Sequence, residues 1–153
     1  KLIELFKGLN RGQSYSGANL KKATNFTVAA AFNPNIKNLA RSGRLIEKKI
    51  DSGADYFITQ PIFKEEVIEE LAKLTSSYEQ PFFIGIMPTT SYNNAVFLHN
   101  EVRGIELSSD FFNSLEAVKD TKEKCQELAL EESKRLIDVA LQNFNSIYLI
   151  TPF

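Results

Sequence analysis

The residues with the clearest chemical potential close the run Gly53-Ala-Asp-Tyr-Phe-Ile-Thr-Gln60-Pro61, an apolar stretch that delivers a hydroxyl and an amide to its C-terminal end. The run has the character of a strand buried on both faces, with a helix ending at a glycine before it and a second helix after it. In parallel α/β sheets and barrels the C-terminal strand ends hold the ligand, while the opposite ends hold the fold together. Gln60 is therefore the first candidate functional residue. Thr59, near the same mouth, either orients Gln60 or touches the ligand itself.

Three further apolar runs, Phe26–Phe32, Pro81–Pro88 and Ser146–Phe153, are bounded by turn residues and predict strands covered on both faces. Between the first two strands Ile36, Leu39, Ala40, Gly43, Ile46 and Ile50 recur at helical spacing, and Gly53 supplies the stop. Val67, Ile68, Leu71 and Leu74 repeat that logic in the next connection, where Glu65, Glu66, Glu69 and Glu70 face water and favour the helix start. The third connection holds a short helix near Tyr92 to Asn100, a loop, and a helical region from about Asp110 to Asn143. Asp120-Thr-Lys-Glu123 has capping-box spacing and predicts a second helix start there, with Cys125, Leu128, Leu136, Val139 and Ala140 on its buried side. Cys125 is thus a core residue rather than a nucleophile.

Composition narrows the class. With 153 residues, 43% of them hydrophobic, and a net charge of −1, the chain can bury one core and advertises neither a nucleic-acid nor a membrane partner. One cysteine allows no intramolecular disulfide, and no apolar run approaches the roughly 20 residues of a spanning helix. A cytoplasmic location is expected. The chain opens at Lys1-Leu-Ile-Glu-Leu-Phe6, without an initiator methionine or signal-peptide pattern, as though inside an amphipathic helix. It is expected to be a piece of something longer.

Successive parallel strands with helical crossovers fit an open doubly wound sheet or a (β/α)₈ TIM barrel. No glycine-rich dinucleotide fingerprint follows any strand, since the first ends in Phe-Asn-Pro-Asn and the second in Thr-Gln-Pro. A whole barrel needs eight strands, so four imply half of one.

Asn33-Pro-Asn35, Glu47 to Pro61, Gly85-Ile-Met-Pro-Thr-Thr-Ser-Tyr-Asn-Asn-Ala-Val-Phe-Leu-His-Asn-Glu-Val102 and Leu149-Ile-Thr-Pro-Phe153 occur in an order that resembles the 5,10-methylenetetrahydrofolate reductase family. The segment from Asn10 to Gly17 extends the likeness, which is to the reductase half of bacterial bifunctional enzymes that also carry a homocysteine S-methyltransferase domain. The resemblance covers essentially all 153 residues. It implies the C-terminal half of a flavin-binding barrel, residues 1–153 running from the fourth helix to the eighth strand. It also implies a ping-pong relay in which NAD(P)H reduces FAD and methylenetetrahydrofolate then accepts the hydride.

The resemblance assigns roles residue by residue. Gln60 matches the family's substrate-contacting glutamine, and an amide can donate to and accept from a pterin edge at once. Tyr92 falls where the family places an aromatic ring that stacks on folate or nicotinamide. Lys49 matches a lysine that reaches the flavin phosphates, Lys48 lies beside it, and Asn33 and Asn35 sit where contacts to the adenine side of FAD are expected, although Asn-Pro-Asn also forms turns. Ser42 and Leu45 depart from the family, which often carries Asp and Asn in those registers. His99, the only histidine, lies in a segment distant from the hydride path, where a structural hydrogen bond is expected. Val102-Arg103-Gly104 replaces a common proline with arginine, and nothing in the sequence explains that change.

No catalytic residue is expected within the chain, because the family's general acid, its flavin-tuning loop and the first four strands precede the matched region. The isolated chain is expected to show no turnover and to self-associate through its unpaired sheet edges and apolar faces. No metal is expected. A non-catalytic folate- or nucleotide-binding domain is the alternative, followed by a scaffold domain that binds no ligand.

Overall fold

A computed structural model describes residues 1–151. Helix α1 (Leu2–Asn10) leads into strand β1 (Ala29–Phe32), a 3₁₀ turn (Leu39–Ser42) and helix α2 (Gly43–Asp51). Strand β2 (Tyr56–Pro61), helix α3 (Glu65–Thr75) and strand β3 (Phe82–Ile86) continue the alternation. Helices α4 (Tyr92–Glu101), α5 (Ser109–Ala117) and α6 (Lys122–Asn143) fill the last crossover before β4 (Ile147–Leu149). All neighbouring strands pair in parallel in the order β1-β2-β3-β4. Sequential order with helical crossovers is the wall of a barrel, as expected for part of a (β/α)₈ fold.

The helices cover one face of that wall. Phe57, Phe82 and Ile84 of the strands interlock with Ile46, Ile68, Leu71 and Leu136 of α2, α3 and α6. The Phe57 and Phe82 rings stack with centroids 4.5 Å apart, and such a pair is worth roughly 0.5–1.5 kcal/mol beyond its buried area. A second cluster joins Phe63, Leu98, Phe111, Leu115 and Cys125 beneath α4, α5 and the start of α6, so Cys125 is a core residue.

Four expectations need correction. The strands are not covered on both faces: Ala29 and Ala31 are exposed, and Tyr56, Ile58, Phe83 and Tyr148 are half-buried, because every helix of the main core packs on the opposite side. Strand β1 begins at Ala29 rather than Phe26 because Asn10 takes both the N–H and the carbonyl of Phe26, and the Asp55 carboxylate takes the N–H of Val28. Ile36 and Ala40 are exposed instead of lying on a buried helix face; Asn38 accepts a bond from the Arg41 N–H at 3.3 Å and holds a tighter turn before α2. Helix α6 starts at Lys122 behind Thr121, with no side-chain cap bond from the expected capping box. Ser108 makes the corresponding bond at the start of α5. Pro152 and Phe153, part of the expected last strand, lie outside the described residues. Among the described residues no helix is long and apolar enough to cross a membrane.

At the N-terminal strand ends Asp55 ties three elements together. Lys7 Nζ of α1 donates to both carboxylate oxygens at 2.6 and 2.7 Å, and the Val28 N–H ahead of β1 donates at 2.7 Å. The lysine hydrogen bond, then that of Val28, hold the carboxyl below its ordinary value. A depressed folded-state value gives stability that is present above the unfolded value, about pH 4, and lost as pH falls through the folded one. Asp55→Asn is therefore expected to cost about 1 kcal/mol at pH 7 and to flatten the loss of stability on acidification. Urea denaturation at pH 7 and at pH 3 checks both.

Candidate functional site

The parallel sheet loses its even register where β2 reaches the mouth. Ile58 lies opposite Phe83 and Pro61 opposite Gly85, so three steps on β2 match two on β3 and one residue is extra. This is a β-bulge at Thr59 and Gln60, a device that bends a strand and re-aims a side chain. In an even ladder the Gly85 N–H would bond the Thr59 carbonyl. Here it donates to Thr59 Oγ1 at 2.9 Å, and the ladder resumes with the Ile62 N–H on the Gly85 carbonyl at 3.0 Å.

The displaced Thr59 carbonyl would cost about 1–3 kcal/mol if left buried without a donor. Tyr148 of β4 supplies one, its hydroxyl donating at 2.6 Å. Tyr148 stands opposite Gly85 in the β3–β4 register, so its ring must cross β3 on the open face to reach β2. Only a residue without Cβ allows that crossing: a Cβ on Gly85 would come within 2.9 Å of the ring. A phenol is protonated at neutral pH, and burial pushes the Tyr148 value further up, so its hydroxyl is the donor. Thr59, with 2% of its surface exposed, is thus fixed inside the bulge, while Gln60 is exposed at the mouth.

The loop after β1 is built into the same rim. Asn33 Oδ1 accepts the Asn35 N–H at 3.0 Å, and Asn35 Nδ2 donates to the Pro61 carbonyl at 2.8 Å, joining the end of β1 to the residue that follows Gln60. Gly104 (φ +81°) packs on this loop, where a Cβ would lie 2.7 Å from Asn33 Nδ2. The segment around Arg103 therefore closes against the mouth of β1, a placement no local sequence signal indicated.

The remaining candidates are placed apart from this rim. Lys49 bonds the Ala31 carbonyl. Because the Val28 carbonyl accepts from the Asp55 N–H just ahead of β2, the alternating Ala31 carbonyl points to the free edge of β1, and Lys49 bonds it there. Burial lowers its pKa, and among the described residues no carboxylate lies within ion-pair distance of it. Lys48 is exposed, Ser42 is buried and Leu45 is half exposed. Tyr92 starts α4 behind the Ser91 cap, its ring tilted on Phe112 at 5.6 Å and its hydroxyl 3.3 Å from Glu116 Oε1. No hydrogen bond or ring contact among the described residues links Tyr92 to Gln60. His99 Nδ1 accepts the Leu107 N–H at 3.2 Å and its ring lies on Phe112, a structural arrangement.

A cavity of about 860 Å³ opens at the other end of the sheet, among Pro81, Phe82, Asn145 and Ser146, where strands begin and residues maintain the fold. Among the described residues no group of three or more His, Cys, Asp or Glu side chains could hold a metal ion.

The family model described as methylenetetrahydrofolate reductase matches residues 20–151. No curated protein matches the chain. The chain is similar in fold to a solved structure from Clostridium thermocellum, described as an uncharacterized protein that binds two copies of 5-methyl-5,6,7,8-tetrahydrofolic acid. The TM-score is 0.52 at 21% identity, over 80% of this chain and 45% of that one, so the chain spans less than half the length of that neighbour.

The crossing of Tyr148 over Gly85 makes a direct prediction. Gly85→Ala should cost about 1–3 kcal/mol by overpacking, read as a lower urea midpoint with an unchanged slope.

Proposed function

Since the chain belongs to the methylenetetrahydrofolate reductase family, we propose that it supplies strands five to eight of a barrel that reduces 5,10-methylenetetrahydrofolate to 5-methyltetrahydrofolate with NAD(P)H through FAD. The observation that carries this reading is the exposed Gln60, held out by a bulge at the C-terminal end of a parallel sheet in a chain of this family. The folate bound by the Clostridium thermocellum neighbour is the product of the proposed reaction, which supports a folate ligand here.

Each residue has a definite task in this reading. Gln60 carries both a donor and an acceptor and binds the pterin edge, fixing which carbon faces the reaction. Tyr92, at the start of α4 on the loop that follows β3, offers an aromatic face that tolerates planar ligands of different kinds, as two successive substrates require. Asn33 and Asn35 shape the rim through the Asn33 Oδ1 bond to the Asn35 N–H and the Asn35 Nδ2 bond to the Pro61 carbonyl.

The residues present fit FAD at one point in particular. Lys49 is a partly desolvated ammonium bonded to a neutral carbonyl, and a diphosphate beside it would return the stabilisation that burial removes. Lys48 adds a second positive charge on the same helix turn. Ser42 and Leu45 offer the flavin no charged group, so the basic pair carries that contact. When bound, FAD supplies the hydride chemistry, accepting from NAD(P)H and donating to the folate.

Turnover requires a proton donor for the opening folate ring, and among the described residues the hydrogen bonds that build the Gln60 rim involve amides and hydroxyls but no carboxylic acid. The chain's own contribution is binding and orientation.

Calorimetric titration of the full-length protein with 5-methyltetrahydrofolate and with FAD tests the reading. Both should bind, and Gln60→Ala should weaken folate by roughly 5- to 30-fold, about 1–2 kcal/mol, with FAD affinity unchanged. Folate binding without FAD would instead identify a non-catalytic folate-binding domain. Equal folate affinity in wild type and Gln60→Ala would remove Gln60 from the site.

A further inference from the structure

Gln60 lies in an irregular part of β2, and the direction of its side chain depends on where the extra residue sits. Two bonds determine that position: the Gly85 N–H on Thr59 Oγ1 at 2.9 Å, and the Tyr148 hydroxyl on the Thr59 carbonyl at 2.6 Å. The first could persist if the bulge relaxed slightly. The second spans three strands, from β4 over Gly85 of β3 to β2, so it forms only when β2 is bulged and β3 carries glycine at that point. Without the Tyr148 hydroxyl, the Thr59 carbonyl recovers a donor most directly by returning to the Gly85 N–H, and that movement shifts Gln60 by one register step.

We propose that Tyr148 is a positioning residue for the folate site, its hydroxyl holding the Thr59 bulge so that the Gln60 amide faces the ligand. This rests on the reading of Gln60 as a folate contact. Tyr148 reaches Gln60 through the neighbouring peptide and needs no contact with folate itself. Three residues act as one unit: the tyrosine hydroxyl donates, the threonine hydroxyl replaces its own carbonyl in the ladder, and the glycine leaves the passage between them open. The arrangement also accounts for the sequence Gly85 opposite Tyr148, since a side chain on residue 85 would displace the ring from β2.

Tyr148→Phe keeps the ring and removes only the hydroxyl. In the full-length protein it should weaken 5-methyltetrahydrofolate binding about tenfold and leave FAD affinity unchanged. In the ligand-free protein it should also move the Gln60 side-chain amide signals in a ¹H–¹⁵N spectrum. Tyr78→Phe, which removes a phenol hydroxyl bonded to Glu47 at 3.4 Å far from the bulge, should do neither. Thr59→Val should mimic Tyr148→Phe in the Gln60 signals, and Thr59→Ser should restore the wild-type positions; this pair decides the matter if Tyr148→Phe fails to fold. Gln60 signals that move in a protein binding no folate would support the positioning role and overturn the folate reading alone. Unmoved Gln60 signals, with folate affinity in Tyr148→Phe within about twofold of wild type, would overturn the proposal.

Discussion

The mouth of this sheet depends on a hydrogen-bond substitution. At Thr59 the side-chain hydroxyl takes the place of the backbone carbonyl as acceptor for the Gly85 amide, which lets β2 carry one residue more than β3 without breaking the ladder. A buried sheet tolerates an extra residue only if each displaced polar group finds a new partner. Threonine satisfies the amide and Tyr148 satisfies the carbonyl. The exposed position of Gln60 follows from this exchange.

The two ends of the strands divide the labour. At the N-terminal ends Asp55 gathers α1, the entry to β1 and β2 through charged and backbone bonds, and the aromatic stack of Phe57 and Phe82 sits just above it in the covered face. At the C-terminal ends polar side chains bond backbone groups across loops, as Asn35 does to Pro61. One end is closed by apolar packing and a shared carboxylate; the other keeps amides and hydroxyls near solvent. Such a separation suits a ligand site on a rigid wall.

Much of the fold was legible because its signal is local. Four apolar runs located the four strands, and the helical spacing of Val67, Ile68, Leu71 and Leu74 located α3. The misreadings were long-range in origin. Nothing near Phe26 announces that Asn10 occupies its backbone, and nothing near Ile36 announces the Asn38 turn. An apolar run gives no indication of whether one or both of its faces will be covered, since that depends on which side the crossovers take. At the site, the run ending in Thr-Gln-Pro pointed to Gln60, but Tyr148 was invisible as a partner: it lies 89 residues from Thr59, and an aromatic residue in an apolar strand reads as packing. Gly85, inside a strand pattern, was the one available hint of a close approach.

A crystal structure of the ligand-free protein at a resolution that fixes backbone carbonyls would test the account most directly. It should find Ile58 opposite Phe83 and Pro61 opposite Gly85, with the Tyr148 hydroxyl within hydrogen-bonding distance of the Thr59 carbonyl and the Gly85 amide on the Thr59 hydroxyl. An even β2–β3 register, with the Thr59 carbonyl on the Gly85 amide and the Tyr148 ring turned away from β2, would contradict it.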